Sequence, residues 1–508
     1  MSGDEHRAFP TLAVVGSIAG VGIASIIRSR PSLLNLTPET SLLPILGIVA
    51  VVVGAVTFLY ALLETWRGRL SLRLVLGLAV AFHVVILLQP LPAGGDVYSY
   101  AFYGRVMSLH HANPYVATPS MFPLDPIHRF VPPAWASTPD VYGPLFTLMS
   151  AALARGLRGT TSLVLAYRLI AVTASLGIVF LVASLAGRIR PERAAFAAAA
   201  VGLNPLVLLS AVADAHNDLL VGLAIIGALW FVALRRELAA TALLTAGVLI
   251  KAPAAIPLFL LVAAVVAHRA PGSRLRTFGA HAAVAGGLAL AAAAPFLQRA
   301  NPTLGAAELA SHQGAPAASL FVQRRVEWLM CRSGMCGISH WASAAVRLAF
   351  LLSFLIGLFL IATSLLRHGR ATSPEILGAA WGWSLLLFTL SAPVLLPWYA
   401  IWTLPLLWLL SRVPGLVLIT TSMGLLVAKA IDDPARFAEV HDLIVWFERV
   451  GNLVIVGAFV WLWVDLLRRW RRNTLLDLNG QDAGDRVADP TPGGGAPESA
   501  SQGAREGR

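Results

Sequence analysis

The sequence predicts an all-α polytopic integral membrane protein, and three observations carry that prediction. Hydrophobic residues make up 57% of the 508 residues and charged residues only 13%. Mean hydropathy is +0.74, far above the range of soluble globular chains. Apolar runs of about 17 to 25 residues, the length that crosses a bilayer as a helix, recur from end to end. They do not alternate as barrel strands would, so the spanning elements are helices.

Taken in order, spans are expected near 11–27, 43–62, 74–91, 165–186, 194–213, 218–234, 238–250, 253–267, 278–296, 343–366, 376–395, 398–411, 414–431 and 446–467. That is about 11–14 transmembrane helices. The opening "MSGDEHRAFP" is mildly polar, and no small-residue cleavage site follows the first apolar run, so 11–27 reads as a retained span. Residues 1–91 form a first group of helices, 159–296 a central core and 343–467 a last group. Two long loops, 92–158 and 297–342, are rich in Pro, His and aromatics. They are too long to be simple connections. Within the first loop, "GPLFTLMSAALARGLR" (143–158) reads as a helix lying along the membrane interface. Residues 468–508 read as a cytoplasmic tail, polar and Gly/Pro/Ser-rich over most of its length and there disordered.

The net charge of +12 is carried almost entirely by arginine, since Lys251 and Lys429 are the only lysines. The arginines sit mostly in short loops, which sets orientation and excludes nucleic-acid binding as the reading of this charge. In the span order above, the clusters at 67–73, 188–193, 235–237, 268–276, 367–370 and 468–472 fall on one side, with Arg28 and Arg30 the exceptions. The positive-inside rule makes that side cytoplasmic, with both termini inside and both long loops outside a plasma membrane.

Five polar groups then fall on the outer side. "GGDVYSYAFYGR" (94–105) places Asp96 and, at helical spacing, Tyr100, Tyr103 and Met107 on one face, with Gly104 allowing close approach. Gly-Gly-Asp ahead of a helix is equally an ordinary N-cap. "VYGPLF" (141–146) brings Tyr142 in a Tyr-Gly-Pro turn. "GLNPLVLLSAVADAHNDLLVG" (202–222) breaks a span at Asn204-Pro205 and crowds Asp214, His216, Asn217 and Asp218 at its outer end. A solvated loop with helix-capping Asn217 and Asp218 explains that group too. As a metal site it lacks a fourth ligand. "GVLIKAPAAIPLF" (247–259) sets Lys251 at a short helical hairpin, where an ammonium must snorkel, pair or face a polar cavity. A compact point charge suits a phosphate. "SAPVLLPWYAIW" (391–402) offers Trp398 and Tyr399, which are interface aromatics or a platform for a sugar ring. A carboxylate that can accept a proton beside a cation that can hold a phosphate leaving group makes group transfer from a phosphate ester feasible.

These stretches, in this order from residue 90 to about 410, resemble the polyprenol-phosphomannose-dependent α-mannosyltransferases of actinobacteria, which include the α-1,6-mannosyltransferases of lipomannan synthesis and belong to the GT-C superfamily. The resemblance implies a GT-C core and an inverting transfer of mannose from polyprenyl-phosphate mannose to an α-mannoside acceptor, a cell-envelope glycan or glycolipid, at the outer membrane face. It implies Asp96 as the general base. Lys251, with His216, is expected at the donor phosphate, and Tyr100, Tyr142, Asn217, Asp218, Trp398 and Tyr399 at donor or acceptor sugar. Superfamily members often carry two adjacent acids in the first loop, whereas Asp96 is followed by Val97. No metal and no cofactor are therefore expected. Membrane lipids, the lipid-linked donor and the glycan acceptor are the expected partners.

Cys331 and Cys336 in "CRSGMCGISHW" (331–341) lie outside that pattern, and on an oxidising face they read as a local disulfide. Two readings compete. A related enzyme would use another polyprenyl-phosphate sugar, such as arabinose. A transporter or flippase would share the broken helices, but its ionisable groups belong near the midplane, not on one face.

Overall fold

The computed structural model describes residues 42–91, 95–299, 317–430 and 441–477. The span at 11–27, Arg28, Arg30 and the tail from 478 onward lie outside the described residues. Among the described residues the chain is helical throughout, with no strand. The protein is an all-α polytopic membrane protein. Six stretches are long and apolar enough to cross a bilayer: Ile48–Trp66, Thr160–Ile189, Pro271–Leu297, Cys336–Arg367, Arg412–Ala430 and Arg449–Arg471. Shorter apolar helices run over Leu72–Leu88, Asp218–Ala233, Glu237–Val248 and Ala252–Ala267.

The principal helices are α1 (Leu42–Trp66), α2 (Leu72–Leu88), α3 (Asp96–Ser108), α4 (Pro144–Gly156), α5 (Thr160–Ile189), α6 (Ala194–Gly202), α7 (Asp218–Ala233), α8 (Glu237–Val248), α9 (Ala255–Ala267), α10 (Arg274–Ala293), α11 (Ala318–Arg332), α12 (Ser339–Arg367), α13 (Pro374–Ser391), α14 (Arg412–Ala430) and α15 (His441–Arg471). Two expected spans differ from continuous α-helices, and proline explains both, since it has no N–H to donate and its ring clashes with the preceding turn. The stretch 194–213 ends as an α-helix at Gly202 and resumes after Pro205 as a π-helix over Val207–Val212. Asn204 fills the gap, its Oδ1 accepting from the Leu206 N–H at 2.9 Å. The stretch 398–411 is two 3₁₀ segments, Pro397–Trp402 and Leu404–Leu409, each with proline in its first turn. At the C-terminus, α15 continues to Arg471, so 468–471 are helical where a tail was expected.

The arginine clusters meet at one end of the bundle. The Arg193 guanidinium lies over Trp66 and that of Arg188 over Trp230. Arg269 pairs with Glu237. His268 reaches the carbonyl of His368, and His368 lies 3.9 Å from Asp477.

Residues 95–158 are built rather than slack. Helix α4, expected along the interface, packs on α3 with Phe146, Thr147, Ser150, Ala151 and Ala154 buried. Gly104 permits that approach, because a Cβ there would overlap the Ser150 carbonyl. Arg105, buried with Asp125 at 2.9 Å, and His110, 2.8 Å from the same carboxylate, fold the intervening loop back on α3.

Gly143 is the tighter junction. Its N–H donates to the Ile250 carbonyl at 3.0 Å and the Leu145 N–H to that of Leu249 at 3.0 Å. A Cβ on Gly143 would overlap the Leu249 carbonyl. Because the obstacle is backbone, Gly143→Ala is expected to destabilise the detergent-solubilised protein by about 1–3 kcal/mol, read as a lowered thermal midpoint. An unchanged midpoint would mean this junction is loose.

Candidate active site

The N-terminus of α3, the turn ahead of α7, the end of α8 and the 3₁₀ turn at 397–402 converge on one cluster. Asp96 is the first residue of α3, and its side chain keeps 19% exposure. His216 is nearly buried and places Nδ1 3.7 Å from Asp96 Oδ2. The same nitrogen is hydrogen-bonded with the Tyr100 hydroxyl at 3.3 Å, one helical turn after Asp96. Trp398 lies flat on the imidazole, centroids 3.6 Å apart at 17°. The imidazole is thus contacted by a phenol, an indole and the acid.

Lys251 forms the second half. Its ammonium donates to both oxygens of Asp218, at 2.9 and 3.0 Å. It also sits over the rings of Tyr399 at 4.9 Å and Trp402 at 5.6 Å, which stack on each other at 4.3 Å. The ammonium thus meets an acid on one side and two π faces on another. Lys251 follows Ile250, so the bonds from Gly143 and Leu145 fix the backbone that carries it.

A buried network secures the Tyr-Gly-Pro turn. Asp140 accepts from the Tyr142 N–H at 2.9 Å and the Thr147 hydroxyl at 2.7 Å, and the Tyr115 hydroxyl donates to the Tyr142 carbonyl at 2.8 Å. Tyr142 and Phe146 then meet Tyr100 edge-on, at 4.9 and 5.0 Å. Beneath them Arg168 donates to the carbonyls of Gln89 (2.6 Å), Pro90 (3.0 Å) and Ala213 (3.2 Å), fixing the chain on either side of the cluster.

Burial decides which groups can meet a ligand directly. Tyr100, Tyr142, Asn217 and Asp218 are buried, and Trp398 and Tyr399 keep 9% and 7% exposure. Tyr100, expected at sugar, meets His216 through its hydroxyl, and Asp218, also expected at sugar, pairs with Lys251. Within the described residues neither amide atom of Asn217 has a hydrogen-bond partner, although the residue is 3% exposed. Burial pushes the Asp96 carboxyl up to about 6, with the Lys251 charge opposing and those of Asp218 and Asp214 adding to the rise. Burial pushes Asp140 up to about 7, against the hydrogen bonds it accepts.

Sequence reasoning did not single out Trp402, Asp140 or Arg168. Trp402 stands three residues after Tyr399, a spacing that repeats a face on a 3₁₀ turn. Asp140 precedes Tyr142 by two residues, the signature of an Asx turn. Arg168 is a charge inside an apolar run, which is itself a signal of function or anchoring. Cys331 and Cys336, remote from this cluster in sequence, are joined as a disulfide.

A family model described as the alpha-(1->6)-mannopyranosyltransferase N-terminal domain matches residues 9–267, just over half of the sequence. The chain belongs to this mannosyltransferase family. The matched stretch contains Asp96, Tyr142, His216 and Lys251 and ends before the 397–402 turn. No curated protein matches the chain.

Proposed function

We propose that the protein transfers mannose from polyprenyl-phosphate mannose to an α-mannoside of a cell-envelope glycan or glycolipid, with inversion, at the outer face of the plasma membrane. The observation that carries this reading is the pairing, at one end of the bundle, of a partly exposed acid (Asp96) with a restrained cation (Lys251). Asp96 takes the proton of the acceptor hydroxyl as that oxygen attacks the anomeric carbon. The bond from that carbon to the phosphate oxygen breaks, and polyprenyl phosphate leaves with one added negative charge. Lys251 stabilises that charge, turning partly from Asp218. His216 orients Asp96, and Trp398 and Tyr399 flank the sugar. Attack opposite the leaving phosphate turns a β-linked donor into an α-linked product. The basic end of the bundle faces the cytoplasm, with both termini, because positive loops are retained inside.

Transfer of label from polyprenyl-phosphate mannose to an α-mannoside by membranes containing the protein, in the presence of a chelator, tests the reading. Transfer that persists in chelator supports a metal-independent reaction carried by Lys251. Transfer only from a polyprenyl-phosphate arabinose donor would replace mannose in the proposal. Transfer from no lipid-linked sugar would overturn it.

The raised Asp96 carboxyl sets a pH dependence. A base must be ionised, so activity is lost as pH falls through about 6 and is complete a unit or more above it. The donor is a phosphodiester and stays ionised over that range, so it does not contribute. Asp140, at about 7, also titrates there. The profile is therefore expected to keep its limb near 6 in Asp140→Asn, and a limb that disappears in that variant would reassign it.

A further inference from the structure

Helix α11 and the start of α12 form a helical hairpin whose exposed face is both apolar and basic. Trp328 is 51% exposed, Leu329 57%, Ile338 52% and Trp341 69%. Arg324, Arg325 and Arg332 are exposed on the same hairpin. Arg325, Trp328, Leu329 and Arg332 recur at three- and four-residue spacing, which puts them along one face of α11. The opposite face is docked: Ala318, Ser319 and Gln323 are buried, and the Ser319 hydroxyl donates to the Ala392 carbonyl at 3.0 Å. Glu327, the hairpin's one acid, is engaged by the Ser343 hydroxyl. Two arginines lie over aromatic rings, Arg325 over Phe321 and Arg332 over Trp328, both at 5.2 Å. The Cys331–Cys336 disulfide closes the turn between the two helices.

We propose that this hairpin is a docking surface for anionic phospholipid headgroups of the leaflet in which the active site opens. Trp328, Leu329, Ile338 and Trp341 enter the level between headgroup and acyl chain, where indole rings are most stable. Arg324, Arg325 and Arg332 meet the phosphates in the fork geometry that guanidinium provides. From 318 to 341 the hairpin carries three arginines and one glutamate, a net charge of +2 that selects anionic over zwitterionic lipid. The Ser319–Ala392 bond anchors the first turn of α11 to the segment that leads into the 397–402 turn. The proposal rests on the outer-face reading above only for which leaflet is meant.

The test is amide exchange over 318–341 in the full-length protein, in nanodiscs of phosphatidylcholine alone or mixed equally with phosphatidylglycerol. The two leaflets are identical there and transfer is not read, so failure of the mannosyltransferase reading would leave the result unaffected. Exchange is expected to slow in the anionic discs, and R324Q/R325Q/R332Q to remove that protection, at about fivefold in lipid affinity for each arginine. Equal exchange in both lipids, or protection unchanged in the triple variant, would overturn the proposal. Should the triple variant fail to fold, the wild-type difference between lipids is expected to vanish as salt is raised, because surface charge is screened. A difference that survives high salt would also overturn it.

Discussion

Asp96→Asn is expected to lower mannosyl transfer by about 10²–10⁴-fold, the range that a positioned general base supplies. The carboxamide has nearly the same shape and can still meet His216 Nδ1, which stands 3.7 Å from the carboxylate in the wild type. It cannot accept the acceptor's proton. Removing a partly buried acid whose carboxyl is pushed up to about 6 also relieves a desolvation penalty, so the variant should fold at least as stably as the wild type. The expected result is thus unchanged protein in the membrane, a thermal midpoint equal or higher, and kcat collapsed with little change in donor KM. Loss of kcat together with loss of folded protein would reduce Asp96 to a structural acid in the first turn of α3. Full activity would remove it from the chemistry.

Much of the architecture was legible because the bilayer imposes a strict code. A helix must satisfy its own backbone in hydrocarbon, so apolar length alone located α1, α5, α12 and α14. The arginine clusters placed six loops together, and Arg193 on Trp66 or Arg269 on Glu237 are the contacts that follow. The breaks at Pro205 and Pro397 were visible as residues, but hydropathy counts proline-interrupted apolar stretches as spans, which is why 194–213 and 398–411 were expected whole. The cluster of Asp96, His216, Lys251 and Trp398 was legible as a list of polar groups on one side. Who touches whom was not. His216 and Lys251 were expected together at a phosphate; the structure adds that His216 lies beside Asp96 and Lys251 on Asp218. Such pairings are set by packing between segments far apart in the chain, as between residues 218 and 251, and sequence spacing carries no record of them. The Asp140 network escaped notice for the opposite reason: its contacts are local and buried, so nothing marked it as more than a turn.

The Lys251–Asp218 pair yields the second large effect, and a pair of variants separates its two roles. Lys251 is 11% exposed at its side chain and Asp218 not at all, so Lys251→Met leaves a carboxylate desolvated without its cation. Breaking a buried pair on one side costs about 3–5 kcal/mol, since the remaining charge is uncompensated. Lys251→Met alone is expected to lose both folded protein and transfer. In Lys251→Met/Asp218→Asn the stranded charge is gone, and pairs replaced together are often neutral for stability. The double variant should regain most of the thermal midpoint. Transfer should stay abolished, because the leaving phosphate still lacks its cation. Recovery of both properties together would make the pair a structural strut and move phosphate stabilisation elsewhere. Recovery of the fold alone assigns Asp218 to holding the lysine between turnovers and Lys251 to the charge that develops as the phosphate departs. Arginine at 251 is the finer instrument. Its planar fork cannot occupy the compact point between Asp218 and the Tyr399 and Trp402 rings, so Lys251→Arg should retain folding better than Lys251→Met and still fall well short of wild-type kcat.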